Sequence, residues 1–227
     1  MSERRLFILV EGNDDERFFT SIIIPLLSPR YRAVRLIKYA CMRSNRVCRF
    51  IRSIHRAGDE LLLVTDIDKA PGVAAKKHII MERFGVIQQG EIMVIIQEIE
   101  SWYLAGLELE DAQRLGVRPL HSTDQVTKEI FNTSIPPQYT SRIAYMIEIL
   151  SRFSISSACR KNRSFHHFMD RYYLDCGVTP DDAATEILVK REEGSGEGSG
   201  MNTPQDARNT EDGKDTSRGK SPLWDHL

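Results

Sequence analysis

The sequence predicts an α/β fold: a mostly parallel sheet flanked by helices, followed by a helical C-terminal subdomain. Three observations predict it. Apolar runs recur at RLFILVE (5–11), AVRLIKYA (33–40), ELLLVTDID (60–68) and EIMVIIQE (91–98). They lack the polar alternation of half-exposed strands, as expected where both sheet faces are covered. Segments of helical period lie between them, the alternation that builds parallel sheets. After residue 100 the strand-like runs stop and helical segments follow one another.

The elements follow in order. Gly12 turns the chain out of the first strand. Asn13 then stands as a helix cap, with Glu16 three residues on, as a capping box requires. GNDDERFFTSIIIPLL is therefore the first helix. SNRVCRFIRSIHRAG (44–58) is a second, ending at Gly58, and VAAKKHIIMERFG (73–85) a third. The later helical segments are SWYLAGL, STDQVTKEIFN, QYTSRIAYMIEILSRF, SFHHFMDRYYLDCG and PDDAATEILVKREE. Trp102 and Tyr103 are expected in the core.

Composition bounds the class. The chain has 227 residues, 41% apolar and 28% charged, as in ordinary globular proteins. No apolar run approaches the ~20 residues that cross a bilayer. The N-terminus lacks the long apolar region of a signal peptide, so the expected location is cytoplasmic, with no membrane partner. Cys41, Cys48, Cys159 and Cys176 form no CxxC pair, which argues against a zinc site and for free thiols in a reducing compartment.

Composition changes abruptly at GSGEGSG (194–200), the makeup of a flexible linker. A methionine follows at once, as at the start of a second reading frame joined by an engineered linker. The expected organisation is an α/β catalytic domain over 1–105, a helical subdomain over 106–193, the linker over 194–200, and a fused peptide over 201–227. Most of that peptide is too polar to fold alone. Its end differs, since Leu223, Trp224 and Leu227 form a candidate anchor. The expectation is that 201–227 comes from a partner protein and packs on the body.

The formal net charge of −1 hides an uneven distribution. Residues 194–227 hold six acids and four bases; removing them from the chain's 32 and 31 leaves 26 acids and 27 bases. Residues 30–56 hold nine Lys and Arg and no acid. On a helical wheel at ~100° per residue, Val47, Phe50, Ile51 and Ile54 fall on one face of the 44–57 helix. Arg46, Arg49, Arg52 and Arg56 fall on the opposite face. Arg43 precedes the helix. A solvated face normally mixes signs; this unbroken ridge is a candidate nucleic-acid backbone site. An acidic protein partner is the rival. Arg160, Lys161 and Arg163, with His166, His167 and Arg171, form a second basic cluster expected to complete a channel. Lys69 is a candidate phosphate contact.

Acids stand at two strand ends. Glu11 closes the first, and Asp66 and Asp68 the third. In parallel α/β sheets, ligands bind beyond the carboxyl ends of the strands, so these acids belong to one crevice. Residues two apart on a strand share a side, which places Asp66 and Asp68 in one small volume. Carboxylates held that close need a proton or a cation between them. Oxygen donors without histidine or cysteine favour Mg2+ or Mn2+.

LFILVEGNDDERFF, with LLLVTDIDKA about 50 residues later, resembles the Toprim domain. Its pattern is a glutamate and glycine after the first strand and DxD after the third. The resemblance covers roughly residues 5–105. It implies a Rossmann-like sheet, with Glu11, Asp66 and Asp68 as the catalytic and metal-binding acids. Asp15 matches a second acidic position of the nuclease branch. IQEIESWYLAG (96–106), with Ser164, Phe165 and Phe168 later, resembles small Toprim-like proteins and makes Glu100 a further candidate ligand. The chain resembles the stand-alone, overcoming-lysogenization-defect-type nucleases more than gyrases or primases. That resemblance implies a Mg2+- or Mn2+-dependent nuclease acting on DNA or RNA. It also implies a phage-defence or toxin-type effector controlled by a partner such as an ATPase or an antitoxin. The alternative expectation is a Toprim scaffold without catalysis, binding nucleic acid or the 201–227 segment.

Overall fold

A computed structural model describes residues 2–172. The chain divides into two units, 1–187 and 188–227, and every described residue lies in the first. Cys176, the helix expected over 180–193, the linker, and the anchor residues Leu223, Trp224 and Leu227 lie outside the described residues.

The fold is α/β. Four strands, β1 (Ser2–Val10), β2 (Tyr31–Lys38), β3 (Glu60–Asp66) and β4 (Ile92–Ile95), form one all-parallel sheet in the order β2-β1-β3-β4. The strands alternate strictly between two apolar layers. Leu6, Ile8, Val10, Leu62, Val64, Met93 and Ile95 face one layer. Leu9, Leu61, Leu63, Ile92 and Val94 face the other. Both faces are covered, which is why the strands read as continuous apolar runs.

Helices fill both layers. On the second face, α3 (Ser44–Arg56) contributes Val47, Ile51 and Ile54, and α4 (Val73–Phe84) contributes Ile80 and Phe84. On the first face lies the helix that follows β1. It runs as α1 (Asn13–Phe18), a π-helical stretch over Phe19–Ile23, and α2 (Ile24–Leu27). Pro25 has no N–H to give to the preceding turn and crowds its carbonyl, which accounts for the widened winding. After β1 the chain steps outward to β2, then returns to β3 on the other side of β1. The direction of progression therefore reverses between β1 and β3, with α1 on one face and α3 and α4 on the other. A crevice opens at such a point beyond the carboxyl ends of the two strands.

The helical part consists of α5 (Glu100–Ala105), α6 (Leu109–Leu115), α7 (Lys128–Thr133), α8 (Arg142–Ser151), α9 (Ile155–Lys161) and α10 (Arg163–Tyr172). Sequence periodicity did not separate α6 or α9, which are two turns long. The first-face layer continues without a break into these helices: Phe18, Phe19, Trp102, Tyr103, Phe131, Tyr145, Phe165 and Phe168 are all buried in it. Trp102 is fixed by more than packing. Its indole N–H donates to Ser164 Oγ at 2.8 Å, and its ring meets Phe165 edge-on at 5.1 Å. Asn162 sits beside this pair. Its Nδ2 donates to Ser101 Oγ and Thr123 Oγ1, and its Oδ1 accepts from Ser164 Oγ and the Phe165 N–H. The SF-xx-F stretch thus serves the core.

Two strand ends differ from expectation. β3 stops at Asp66, and β4 at Ile95. Beyond each, a residue takes a left-handed backbone, Asp68 at φ 48° and Gln97 at φ 64°. The Ala70 N–H closes a turn on the Ile67 carbonyl at 3.1 Å. Asp tolerates this conformation better than most residues do.

Candidate functional site

Glu11 follows β1 directly and is half-buried. Its Oε1 accepts from the Tyr39 hydroxyl at 2.9 Å and from Thr65 Oγ1 at 2.6 Å. Tyr39 is itself anchored, since its N–H donates to the Val10 carbonyl at 2.9 Å. Burial and the Glu11 charge raise the Tyr39 hydroxyl's pKa, so it stays a donor. Glu11 Oε2 has no protein donor among the described residues.

Asp15 lies on the first turn of α1 and is buried. Its Oδ2 accepts from the Gly12 N–H at 2.9 Å, satisfying one free donor of the helix start. Burial, reinforced by the nearby Glu11 and Glu100 charges, pushes its carboxyl up to about 6.

Asp66 ends β3, on the same sheet face as Leu62 and Val64. Its Oδ1 is buried with no hydrogen-bond partner among the described residues. Burial raises its carboxyl to about 9, and Asp15, Glu11, Glu100 and Glu98 add to the rise. At neutral pH, without a cation, Asp66 is held protonated.

Glu100 opens α5 and is buried. It pairs with Arg142 of α8, yet burial outweighs that cation and its carboxyl still rises. Arg142 also pairs with Asp14, donates from Nε to Asn132 Oδ1 at 2.8 Å, and lies 5.4 Å over the Phe131 ring. Burial works to raise Asp14, but Arg142 and Arg17 outweigh it and hold its carboxyl below the usual range. Glu98 accepts from the Lys128 N–H and so caps α7.

The expectation for Asp68 does not hold in this geometry. The left-handed turn carries it away from Asp66 into solvent, where it pairs with the buried Lys76 of α4. Period-two sidedness applies only while the strand continues, and β3 ends at Asp66. Asp66, Asp15, Glu11 and Glu100 thus share one electrostatic neighbourhood, and Asp68 stands at its rim. Among the described residues, no three His, Cys, Asp or Glu side chains are grouped closely enough to hold a metal ion in this arrangement.

The basic residues fall into two kinds. Arg46, Arg49, Arg52 and Arg56 are exposed along α3, and Arg43 is exposed at its N-cap. None of the five has a side-chain hydrogen bond or ion pair among the described residues. Lys69 is likewise exposed and unpaired. The second cluster is engaged internally instead. Arg163 grips Asp124 through Nε at 2.7 Å and its N–H at 2.9 Å. Lys161 donates to the Leu107 carbonyl, and burial lowers its pKa. Arg160 reaches Ser156 at 2.7 Å and Glu108 at 3.4 Å. Arg171 donates to the Gly90 carbonyl, and His166 pairs with Asp170 at 3.1 Å. These contacts tie the helical layer together, while Arg160, Arg163 and His167 remain exposed.

Sequence reasoning did not find Arg142. Its partners lie 42 and 128 residues away, and QYTSRIAYMIEILSRF is otherwise an ordinary amphipathic helix.

No family model, curated protein or solved structure matches this chain.

The chemistry of these donors, though not their spacing in this arrangement, suits a hard divalent cation. Every available donor is a carboxylate oxygen, and one of them, Asp66 Oδ1, is buried and unpartnered among the described residues. A carboxylate forced toward protonation by burial and like charges is one that a doubly charged ion would return to its ionised form.

Proposed function

We propose that this chain is a Mg2+- or Mn2+-dependent nuclease that cleaves phosphodiester bonds of DNA or RNA. The observation that carries the reading is Asp66: a buried, unpartnered carboxyl oxygen at the reversal point of the sheet, beside Asp15, Glu11 and Glu100. The resemblance of the strand-end acids to the Toprim pattern supports it, as does the unpaired arginine ridge on α3.

Asp66, Glu11 and Asp15 would hold the metal. Such an ion lowers the pKa of a bound water and offsets charge on the phosphate oxygens. The chain's own groups prepare that chemistry. Tyr39 and Thr65 fix one oxygen of Glu11 and leave the other without a protein donor among the described residues. Gly12 fixes one oxygen of Asp15. Arg142 pairs with Asp14 and Glu100, and Arg17 with Asp14, which limits the negative charge the crevice presents to a phosphate. The α3 arginines bind backbone phosphates, and the exposed Lys69 is a further phosphate contact. Control by a partner, with 201–227 as its segment, belongs to the same proposal.

A second reading has its own observation. Asp68 is satisfied by Lys76, and Glu100 by Arg142, as in an acid cluster with a structural role. That reading is a scaffold that binds nucleic acid or a partner without catalysis. Labelled DNA and RNA panels, incubated with Mg2+, Mn2+ or EDTA beside Asp66→Ala, separate the two. Metal-dependent cleavage lost in the variant supports the nuclease. Intact substrates in every lane, from chain that binds them, support the scaffold.

A further inference from the structure

The α3 ridge borders a cavity that phosphate binding alone does not explain. Between β2 and α3 lies an open groove of about 460 Å3, lined by Ile37, Met42, Arg46, Arg49 and Phe50. That volume falls within the ~300–1,000 Å3 typical of ligand clefts. Its floor is apolar and its rim is two arginines. Phe50 is half-buried, and its ring is held edge-on against Phe7 at 5.7 Å and 86°, so it is a fixed surface. A second hollow, lined by Cys41, Arg43 and Asn45, continues from Met42, Arg46 and Arg49 toward the α3 N-terminus.

The loop that lines the groove is tied to Glu11. The Met42 N–H closes a turn on the Tyr39 carbonyl at 2.9 Å, and the Tyr39 hydroxyl holds Glu11.

We propose that this groove binds single-stranded nucleic acid, with an unstacked base against Phe50, Ile37 and Met42 and the flanking phosphates on Arg46 and Arg49. The inference rests on the nuclease reading and names its substrate class. A duplex presents phosphates outward and keeps its base faces stacked, so an apolar floor between arginines gains nothing from it. A single strand offers both surfaces at the spacing of one nucleotide. Charge complementarity is one-sided here, because no acid lies between residues 30 and 56.

The test is fluorescence anisotropy of the full chain in EDTA, so that binding is read without cleavage. The probes are labelled single strands of DNA and RNA and their duplexes, with polyglutamate as competitor. The expected result is single-strand binding about 10-fold tighter than duplex binding. Arg46→Ala with Arg49→Ala weakens it at least about 10-fold. Arg114→Ala, a charge-matched change on α6, leaves it unchanged. Phe50→Leu keeps an apolar side chain against Phe7 and removes the aromatic face, so the strand preference narrows to within about 2-fold. Phe50→Ala gives the same narrowing if its melting curve stays cooperative. Equal affinity for single strand and duplex overturns the proposal. So does a preference that survives Phe50→Leu, or displacement by polyglutamate as effective as by unlabelled single strand. Single-strand preference without metal-dependent cleavage sustains the groove and removes the nuclease reading; cleavage without the preference does the reverse.

Discussion

Arg142 and Glu100 form an ion pair that joins α8 to the first turn of α5. The same guanidinium reaches Asp14 on α1, so one cation ties the helical layer to the helix that follows β1. The Glu100 side chain is 4% exposed and that of Arg142 25%. Removing the cation leaves a buried carboxylate without compensation, which is costlier than losing the pair as a whole. Arg142→Ala is expected to cost about 2–3 kcal/mol in urea unfolding, less than a fully buried pair because Arg142 is partly solvated. Glu100→Gln in the Arg142→Ala background recovers part of the loss. Additive losses would show that the two residues act separately.

Asn162 uses its whole amide inside the core, with two bonds given and two accepted. Asn162→Leu takes one partner from each of Ser101, Thr123, Ser164 and the Phe165 N–H. The expected cost is about 3 kcal/mol or more, read from chemical denaturation. A loss under about 1 kcal/mol would mean that these groups find other partners.

The carboxyls of Asp66 and Asp15 titrate in the folded chain at about 9 and about 6, above the ordinary 3.8. The folded state therefore holds protons that the unfolded state has released. Their contribution to stability is fully present below pH 3.8 and is lost as pH rises, through about 6 for Asp15 and about 9 for Asp66. The metal-free chain should melt at lower temperature at pH 8 than at pH 5. Asp66→Asn, which carries no ionisable group there, should flatten the slope and stabilise the metal-free chain at pH 8 by about 1 kcal/mol or more. A slope unchanged in Asp66→Asn counts against the burial of this carboxyl.

Lys76 holds Asp68 at the rim of the site. Lys76→Met keeps an apolar stem in a buried position and frees the carboxylate. Mg2+ binding should tighten about 3- to 10-fold, and Asp68→Asn in that background should abolish the gain. If Lys76→Met changes nothing, Asp68 plays no part in metal binding.

Much of the fold was readable because two-sided burial leaves a direct trace. RLFILVE and ELLLVTDID carry no polar alternation, and the sheet is parallel and covered on both faces. The α3 register was equally plain: Val47, Ile51 and Ile54 are buried and the four arginines exposed. What failed depended on where an element stops or on distant pairing. Asp68 stands at the rim of the site because β3 ends at Asp66 and Asp68 takes a left-handed backbone, a turn that DID alone does not reveal. Arg142 was invisible as a partner because charge pairing across the chain has no local period, and the Lys76–Asp68 pair spans a turn whose course the sequence does not fix. That Arg160, Lys161 and Arg163 also hold the chain's own Glu108, Leu107 carbonyl and Asp124 is likewise not visible in a basic run.

The central claim is that Asp66 and its neighbours form a cation site. Its most direct test is calorimetric titration of Mg2+ into the full chain near neutral pH, in buffers of different ionisation enthalpy, beside Asp66→Asn. The account predicts saturable binding with release of up to about one proton per ion, because Asp66 must ionise to bind, and no such release in the variant. Absence of binding, or proton release that persists unchanged in Asp66→Asn, would contradict it.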